Sequence, residues 1–203
     1  MMTRSSLFGP LSQRAIRRAA EWHRGQVRRG SGVPYVEHVY AVALILDRAG
    51  FDEEVVVAGV LHDAVEDTEA TMGQVRDEFG PRVASLVGHC SEVKLDADGR
   101  TRPWAGRKRD HLSALSTAPS EAAAIVLADK LHNLLSIKLD LDEGRPVWST
   151  FHADRAEVLA YYRGAIEVCA GKGPGLAVLA DACRAALAEV GGGDSRGVVS
   201  DDY

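Results

Sequence analysis

The segment Val55–Thr68 reads VVVAGVLHDAVEDT, and it decides how the rest of the chain must be organised. Its first seven residues are apolar, as in a helix that is buried in a protein core. Four polar side chains then follow at once: His62, Asp63, Glu66 and Asp67. Such groups are costly to bury unless they are paired or bind a cation. The segment therefore predicts a core helix that ends in a polar cluster facing an internal cleft.

Two interpretations of this polar cluster are open. On a continuous helix, residues three and four apart share a face, so the four side chains would form one patch. The patch could be a solvated turn, although acids at the carboxyl end of a helix oppose its dipole. A divalent metal would instead satisfy His62 and Asp63 together, because imidazole nitrogen and carboxylate oxygen suit Mn, Fe or Zn.

A metal site needs further ligands, and the two other most apolar helical stretches offer one each. His38 lies in PYVEHVYAVALIL and Asp129 lies in AAAIVLADKLHNLL. A single histidine or aspartate in such a helix is more often a structural residue with a local partner. Convergence of His38, His62, Asp63 and Asp129 on one ion would explain all four polar interruptions together.

Length and composition predict one globular domain. The chain has 203 residues, of which 46% are hydrophobic and 26% charged, as in ordinary soluble proteins. We expect the domain to span residues 1–190 and residues 191–203 to form a flexible tail. No apolar run approaches the roughly 20 residues that span a bilayer, and the amino terminus lacks the pattern of a secretory signal. Three cysteines without CxxC spacing predict free thiols, which suits the cytoplasm.

The charge distribution bears on the partner. A net charge of −5 argues against a general nucleic-acid binder. Residues 1–30, however, carry seven arginines against the single acid Glu21. This basic segment could be a solvated helix face or a surface that receives a small polyanion.

Nearly every segment has helical periodicity, and none alternates as a strand does. Thr71 and Gln74 predict a capping box, Gly80 a helix end, and Ser120 a helix cap. The predicted helices number nine, at about 12–25, 35–48, 52–68, 71–80, 81–94, 107–117, 120–139, 148–170 and 175–190. The sequence therefore predicts a compact all-α domain.

The metal-ligand pattern resembles that of a known superfamily. His38, then His62–Asp63, then Asp129 resembles the H…HD…D pattern of the HD-domain metal-dependent phosphohydrolases. Within it, four blocks resemble the hydrolase domain of the Rel/SpoT alarmone family, and especially its small alarmone hydrolases: GQVRRGSGVPYVEH, GVLHDAVEDT, FGPRVASLV and LADKLHNL. The resemblance covers about residues 19–136. It implies an HD-domain bundle of about eight to nine helices.

The resemblance also implies roles for single residues. Glu66 and Asp67 match the pair that positions and activates the hydrolytic water. The single manganese ion of the family would be held by His38, His62, Asp63 and Asp129. The residues that match substrate contacts are Arg28, Arg29, Ser31, Lys94 and Asn133.

The implied reaction is removal of the 3′-pyrophosphate of ppGpp or pppGpp with Mn²⁺, giving GDP or GTP. Three features depart from the family pattern: Val39 replaces a usual proline, Leu135 replaces a common arginine, and the arginine loop is one residue longer. The alternatives are the same chemistry on ppApp, NADPH or another nucleotide, and a degenerate domain that senses nucleotides without turnover. A nucleotide is the expected partner, without nucleic acid or membrane, and the oligomeric state stays open.

Overall fold

The computed structural model describes residues 9–192, and within them the predicted all-α fold is confirmed. The described part has two isolated β-bridges and otherwise no β-structure. Two 3₁₀ turns, Val147–Thr150 and Pro174–Leu176, precede the last two helices. The α-helices are α1 (Pro10–Trp22), α2 (Val36–Arg48), α3 (Glu53–Leu61), α4 (Ala64–Asp67), α5 (Met72–Phe79), α6 (Pro81–Cys90), α7 (Trp104–Thr117), α8 (Ser120–Asp142), α9 (Arg155–Ala170) and α10 (Ala177–Gly192).

Two helices form the centre of the fold. Helix α8 packs against α2, α3, α6, α9 and α10, and it is buried without interruption from Ala122 to Ala128. Helix α3 is buried from Val55 to Leu61. A helix that is apolar on all sides must lie inside a protein. The polar residues that end or interrupt α3 and α8 therefore lie in the interior as well.

Local capping signals set several of the helix ends. Asp52 accepts a hydrogen bond from Val55 N at the start of α3. The predicted capping box of Thr71 and Gln74 is confirmed at the start of α5. Gly80 turns the chain between α5 and α6 with a φ of 94°, a backbone conformation that glycine adopts without steric cost.

The prediction of one continuous helix through the polar cluster is wrong. Helix α3 ends at Leu61, His62 and Asp63 form a turn, and α4 is a single turn that follows. Both residues of the turn keep backbone angles of the right-handed helical region, with φ −58° and ψ −33° at His62 and φ −98° and ψ −5° at Asp63. Both side chains line the same cavity. The interruption divides the predicted third helix, so residues 9–192 form ten α-helices rather than nine.

Further boundaries differ from the predictions, most of all at α9, which begins at Arg155 instead of about residue 148. Helix α6 ends at Cys90 instead of about residue 94, because Ser91 is extended (φ −78°, ψ 139°). Lys94 consequently lies on a loop. Ser120 does not cap α8, since Pro119 occupies the cap position and no side chain caps this end.

Close packing of α2 against α3 brings two histidines together. Gly59 permits this approach, because a Cβ atom there would lie 2.4 Å from Leu46 Cδ1. The ring centroids of His38 and His62 lie 5.3 Å apart. The contact between α2 and α3 thus brings His38 close to His62.

The predictions for the cysteines and the tail have different outcomes. Cys90, Cys169 and Cys183 are free thiols, as predicted. No described helix combines the length and apolarity that crossing a membrane requires. Helix α10 continues to Gly192, two residues into the segment that we predicted to be a flexible tail. The rest of that tail, residues 193–203, lies outside the described residues.

Candidate functional site

The four residues proposed as metal ligands lie together in the cleft. His38 comes from α2, His62 and Asp63 from the turn after α3, and Asp129 from α8. His38 Nε2 lies 3.2 Å from Asp129 Oδ1 and 3.5 Å from Asp63 Oδ2. His62 Nε2 lies 3.0 Å from Asp63 Oδ2 and 3.8 Å from Asp129 Oδ1. We call these four residues the His/Asp cluster.

The geometry of the His/Asp cluster fits a divalent cation. Donor atoms about 2.1 Å from an octahedral ion lie about 3 Å apart at neighbouring corners. Donor atoms of His38, His62 and Asp129 all lie within 4.8 Å of one another. His62 Nε2 is buried and makes no hydrogen bond, although Asp63 Oδ2 is near. Donor atoms at these separations can all reach one ion, as the ligands of a single metal do.

Hydrogen bonds behind the rings orient both histidines towards this position. His62 Nδ1 donates to the carbonyl oxygen of Gly59 at 2.8 Å, which leaves the Nε2 lone pair free. His38 Nδ1 lies 2.8 Å from His132 Nδ1, and His132 Nε2 lies 3.1 Å from Glu37 Oε1. Burial and the neighbouring His38 lower the pKa of His132 to about 4, so this ring is neutral near pH 7.

The direction of this hydrogen-bond chain follows from its ends. The Glu37 carboxylate can only accept, so His132 donates from Nε2 and accepts at Nδ1. His38 must then donate from Nδ1, and its Nε2 lone pair faces the cluster. A carboxylate and a histidine thus fix the tautomer of His38, as groups behind metal ligands commonly do.

This chain leads to a first prediction. His132→Phe removes the acceptor for His38 Nδ1, and we expect it to weaken divalent-metal affinity ~10–100-fold. His132→Asn places a carbonyl oxygen near the lost acceptor, and it should restore most of the affinity. Titration of metal-free protein with Mn²⁺ measures both variants. Equal affinities in His132→Phe and the unchanged protein would contradict the role of His132.

Tyr35 also orients the His/Asp cluster, and sequence reasoning missed it. Its hydroxyl donates a hydrogen bond of 2.6 Å to Asp63 Oδ2. Burial and the Asp63 charge raise the pKa of Tyr35, so the hydroxyl keeps its proton. Tyr35 precedes α2 directly, and nothing in its local sequence signals a partner in the turn after α3.

The two acids of the ED pair lie beside the His/Asp cluster. Burial and the neighbouring Asp63 raise the pKa of Glu66, and Glu66 Oε2 accepts a hydrogen bond of 3.0 Å from Glu92 N. Lys94 Nζ lies 3.2 Å from Glu66 Oε1 and also bonds Asp67 Oδ1. Lys94, which we predicted to be near substrate phosphates, therefore holds both acids.

The arginine loop reaches the same cleft. Arg28 donates to Asn133 Oδ1 at 2.7 Å, and Asn133 donates in turn to Asp129 Oδ1. Arg29 Nη1 lies 2.9 Å from His152 Nε2. Ser31 lies on this loop but lines neither of the two cavities described next. Its contact with substrate stays a prediction.

Two adjoining cavities open at these residues. The inner chamber, of about 220 Å³, is lined by His62, Asp63, Glu66 and Asp129 and extends to Lys108, Lys130, His111 and Tyr161. The outer cleft, of about 550 Å³, has five cationic side chains in its lining, namely Arg28, Arg29, Lys94, Arg107 and Lys108. Among the described residues, its lining holds two carboxylates, Glu66 and Asp67. The volume of the outer cleft is within the usual range for small-molecule sites.

Comparison with known proteins agrees with this geometry. Residues 15–158 match the HD domain family. The guanosine-3′,5′-bis(diphosphate) 3′-pyrophosphohydrolase MESH1 of Danio rerio is 35% identical over 156 residues, which are 75% of this chain and 79% of that protein. A GTP pyrophosphokinase of Streptomyces coelicolor is 38% identical over 126 residues. This chain spans 14% of the length of that kinase.

A solved structure shows the same fold. It is described as a metazoan orthologue of SpoT that hydrolyses ppGpp, and it superimposes with a TM-score of 0.71 at 27% identity. The match covers 88% of this chain and 96% of the other. The chain therefore belongs to the HD domain family, in the group that contains the guanosine-3′,5′-bis(diphosphate) 3′-pyrophosphohydrolases.

Proposed function

We propose that this protein is a Mn²⁺-dependent hydrolase that removes the 3′-pyrophosphate of ppGpp and pppGpp. The products are pyrophosphate with GDP or GTP. One observation carries the proposal: a cleft with five cationic side chains reaches Glu66 and Asp67, and these two acids also line the adjoining chamber at the His/Asp cluster. Such a cleft suits a small ligand with many negative charges. The names of the similar proteins support this substrate class.

The His/Asp cluster would hold the cation. A bound divalent metal lowers the pKa of a coordinated water towards neutrality and offsets negative charge on phosphate oxygens. Two imidazoles and two carboxylates suit Mn²⁺ among other first-row metals. The donor set supports a divalent metal in general, and Mn²⁺ is the specific ion of our proposal.

Glu66 is the proposed general base. A base works best when its pKa lies near the working pH, and the environment of Glu66 raises its pKa in that direction. Its carboxylate would take the proton of the attacking water, and Asp67 would hold that water in place. Attack on the phosphorus next to the 3′ oxygen would break the bond between those two atoms and release pyrophosphate, and the proton taken by Glu66 would balance the one that the 3′ oxygen gains to become a hydroxyl. Lys94 would keep both acids in position.

The outer cleft would hold the nucleoside and its 5′-diphosphate. Arg28 and Arg29 offer planar guanidinium groups that bind phosphate and stack on purine rings. Asn133 would contribute a nucleotide contact one turn after Asp129. The free cysteines favour the cytoplasm, which we include in the proposal.

A direct assay tests the substrate. Purified protein with Mn²⁺ receives ppGpp, ppApp and NADPH side by side, and the products are separated by anion exchange. We expect GDP and pyrophosphate from ppGpp. Activity on ppApp or NADPH alone would identify a changed specificity, for which Leu135 is the relevant departure. If the metal-bound protein hydrolyses none of the three nucleotides, a nucleotide sensor without turnover is favoured.

The arginine loop yields a second prediction. We expect replacement of Arg28 and Arg29 together by Ala to raise KM far more than it lowers kcat, because these groups bind substrate and transition state alike. Replacement of Arg14 and Arg17, which are exposed on α1, is the matched control. Steady-state kinetics on ppGpp measure both constants. A fall in kcat with KM unchanged would remove the loop from substrate binding.

A further inference from the structure

The inner chamber extends past the His/Asp cluster to a second group of polar residues. Lys108, Lys130, His111 and Tyr161 line this far end. Lys108 also lines the outer cleft, and the other three have no task in the mechanism proposed above. Charged and hydrogen-bonding groups that line an interior cavity need partners, so we asked which partners they have and which they lack.

Each lysine at this end has one carboxylate partner and donors to spare. Lys130 Nζ donates to Asp129 Oδ2 at 2.6 Å, and Lys108 Nζ donates to Glu92 Oε1. Their side chains are only 10% and 21% exposed. An ammonium group has three N–H donors, and the structure shows one acceptor for each. The remaining donors lie beside the cavity.

Both ammonium groups also lie against one aromatic ring. Lys108 Nζ is 4.5 Å and Lys130 Nζ 5.4 Å from the centroid of the Tyr161 ring. Burial and the charge of Lys130 lower the pKa of Lys108. Because both ammonium groups lie against the same ring, one anion beside that ring could contact both.

His111 adds an unpartnered polar atom to the same place. It is 6% exposed, and its Nδ1 lies 2.9 Å from the Tyr161 hydroxyl. Its Nε2 is buried and has no hydrogen-bond partner among residues 9–192. Burial lowers the pKa of His111 to about 4, so the ring is neutral. When the Tyr161 hydroxyl donates to Nδ1, the hydrogen of the ring lies on Nε2 and is available to an acceptor in the chamber.

We infer that the far end of the inner chamber binds the distal phosphate of the substrate's 3′-diphosphate, through Lys108, Lys130 and His111. The inference rests on the proposed function, which places the phosphorus under attack at the His/Asp cluster. The nucleoside lies on the outer side, so the distal phosphate needs room on the inner side. The chamber of about 220 Å³ provides it, since one water takes about 30 Å³ in the liquid. This end would also hold pyrophosphate as it leaves.

A pair of substrates tests this subsite. One is ppGpp, and the other is guanosine 5′-diphosphate 3′-monophosphate, which lacks the distal phosphate. We expect kcat/KM to favour ppGpp at least ~10-fold in the unchanged protein, because two charge-assisted contacts are lost with the shorter substrate. Lys108→Met keeps the length of the side chain and removes its charge. It should reduce the preference severalfold, mainly by slowing ppGpp, because Lys130 and His111 remain.

Controls separate binding from folding. Lys108→Met leaves the buried Glu92 without this partner, so a double variant that adds Glu92→Gln restores neutrality and should show the same loss of preference. Lys138→Met is the matched control, because Lys138 pairs with an acid, Asp142, at an exposed position. Equal slowing of both substrates in the double variant, or an unchanged preference, would overturn the inference.

A binding measurement distinguishes this inference from the proposed function. Magnesium pyrophosphate is titrated into metal-loaded protein without nucleotide, and we expect ~10-fold weaker binding in Lys108→Met. If pyrophosphate binding depends on Lys108 but the protein does not hydrolyse ppGpp, the anion subsite is upheld and the proposed function fails. If the protein hydrolyses ppGpp but binds pyrophosphate equally well with and without the Lys108 charge, the subsite alone is overturned.

Discussion

Asp63→Ala is expected to abolish divalent-metal binding and, with it, turnover. The variant removes the oxygen that lies 3.0 Å from His62 Nε2 and 3.5 Å from His38 Nε2. In the unchanged protein, metal at 100 times its Kd should raise the free energy of unfolding by about 2.7 kcal/mol. For a chain of this size that corresponds to a Tm increase of roughly 5–11 °C. The variant should show no such increase, and metal analysis of the purified protein should find none bound.

Two further variants make the result specific. Asp63→Asn keeps an acceptor for the Tyr35 hydroxyl, so it separates the loss of a ligand from the loss of that hydrogen bond. Asp77→Ala removes an acid whose side chain is 77% exposed on α5, and it should leave metal content and Tm unchanged. Metal content in Asp63→Ala equal to that of the unchanged protein would refute the ligand assignment.

Glu66→Gln should lower turnover at least ~100-fold while metal binding survives. Glutamine keeps an acceptor for Glu92 N but cannot take a proton from water. In the unchanged protein, turnover should fall as pH drops through the pKa of Glu66, because only the ionised carboxylate is a base. Burial and Asp63 raise that pKa, which moves this limb of the pH profile upwards. The limb should be absent in Glu66→Gln.

The neighbouring acids supply the comparison. Asp67→Asn tests the second member of the pair, and Glu69→Gln changes an exposed acid close by in the chain. We expect Glu69→Gln to behave as the unchanged protein does. If the unchanged protein hydrolyses ppGpp and both Glu66→Gln and Asp67→Asn do so at a near-normal rate, neither acid takes part in the chemistry.

Much of the fold was predictable because helical signals are local. Apolar periodicity, capping residues and turn glycines act within a few positions, so the capping box at Thr71 and the helix end at Gly80 were both correct. The break after Leu61 was not predicted. His62 and Asp63 keep nearly helical backbone angles there, and the apolar and polar pattern of the segment contains no signal for so local a change in hydrogen bonding.

The candidate site divides in the same way. Polar residues inside apolar helices identified His38, His62, Asp63 and Asp129, because burial makes an unpartnered polar group costly wherever it lies in the chain. The partners of these residues were less visible. Lys130 follows Asp129 directly, and its place within an apolar run was a signal that could have revealed it as a buried cation.

The sequence by itself determined an all-α domain, its polar interruptions and its family. Only the tertiary structure decided that Lys94 holds the two acids, that Glu37 and His132 orient His38, and that Lys108 and Lys130 flank one ring. Glu37 of α2 meets His132 of α8, and Lys108 of α7 meets Tyr161 of α9, because these helices pack at particular angles. That packing depends on the whole core, whereas sequence patterns report the preferences of one segment at a time.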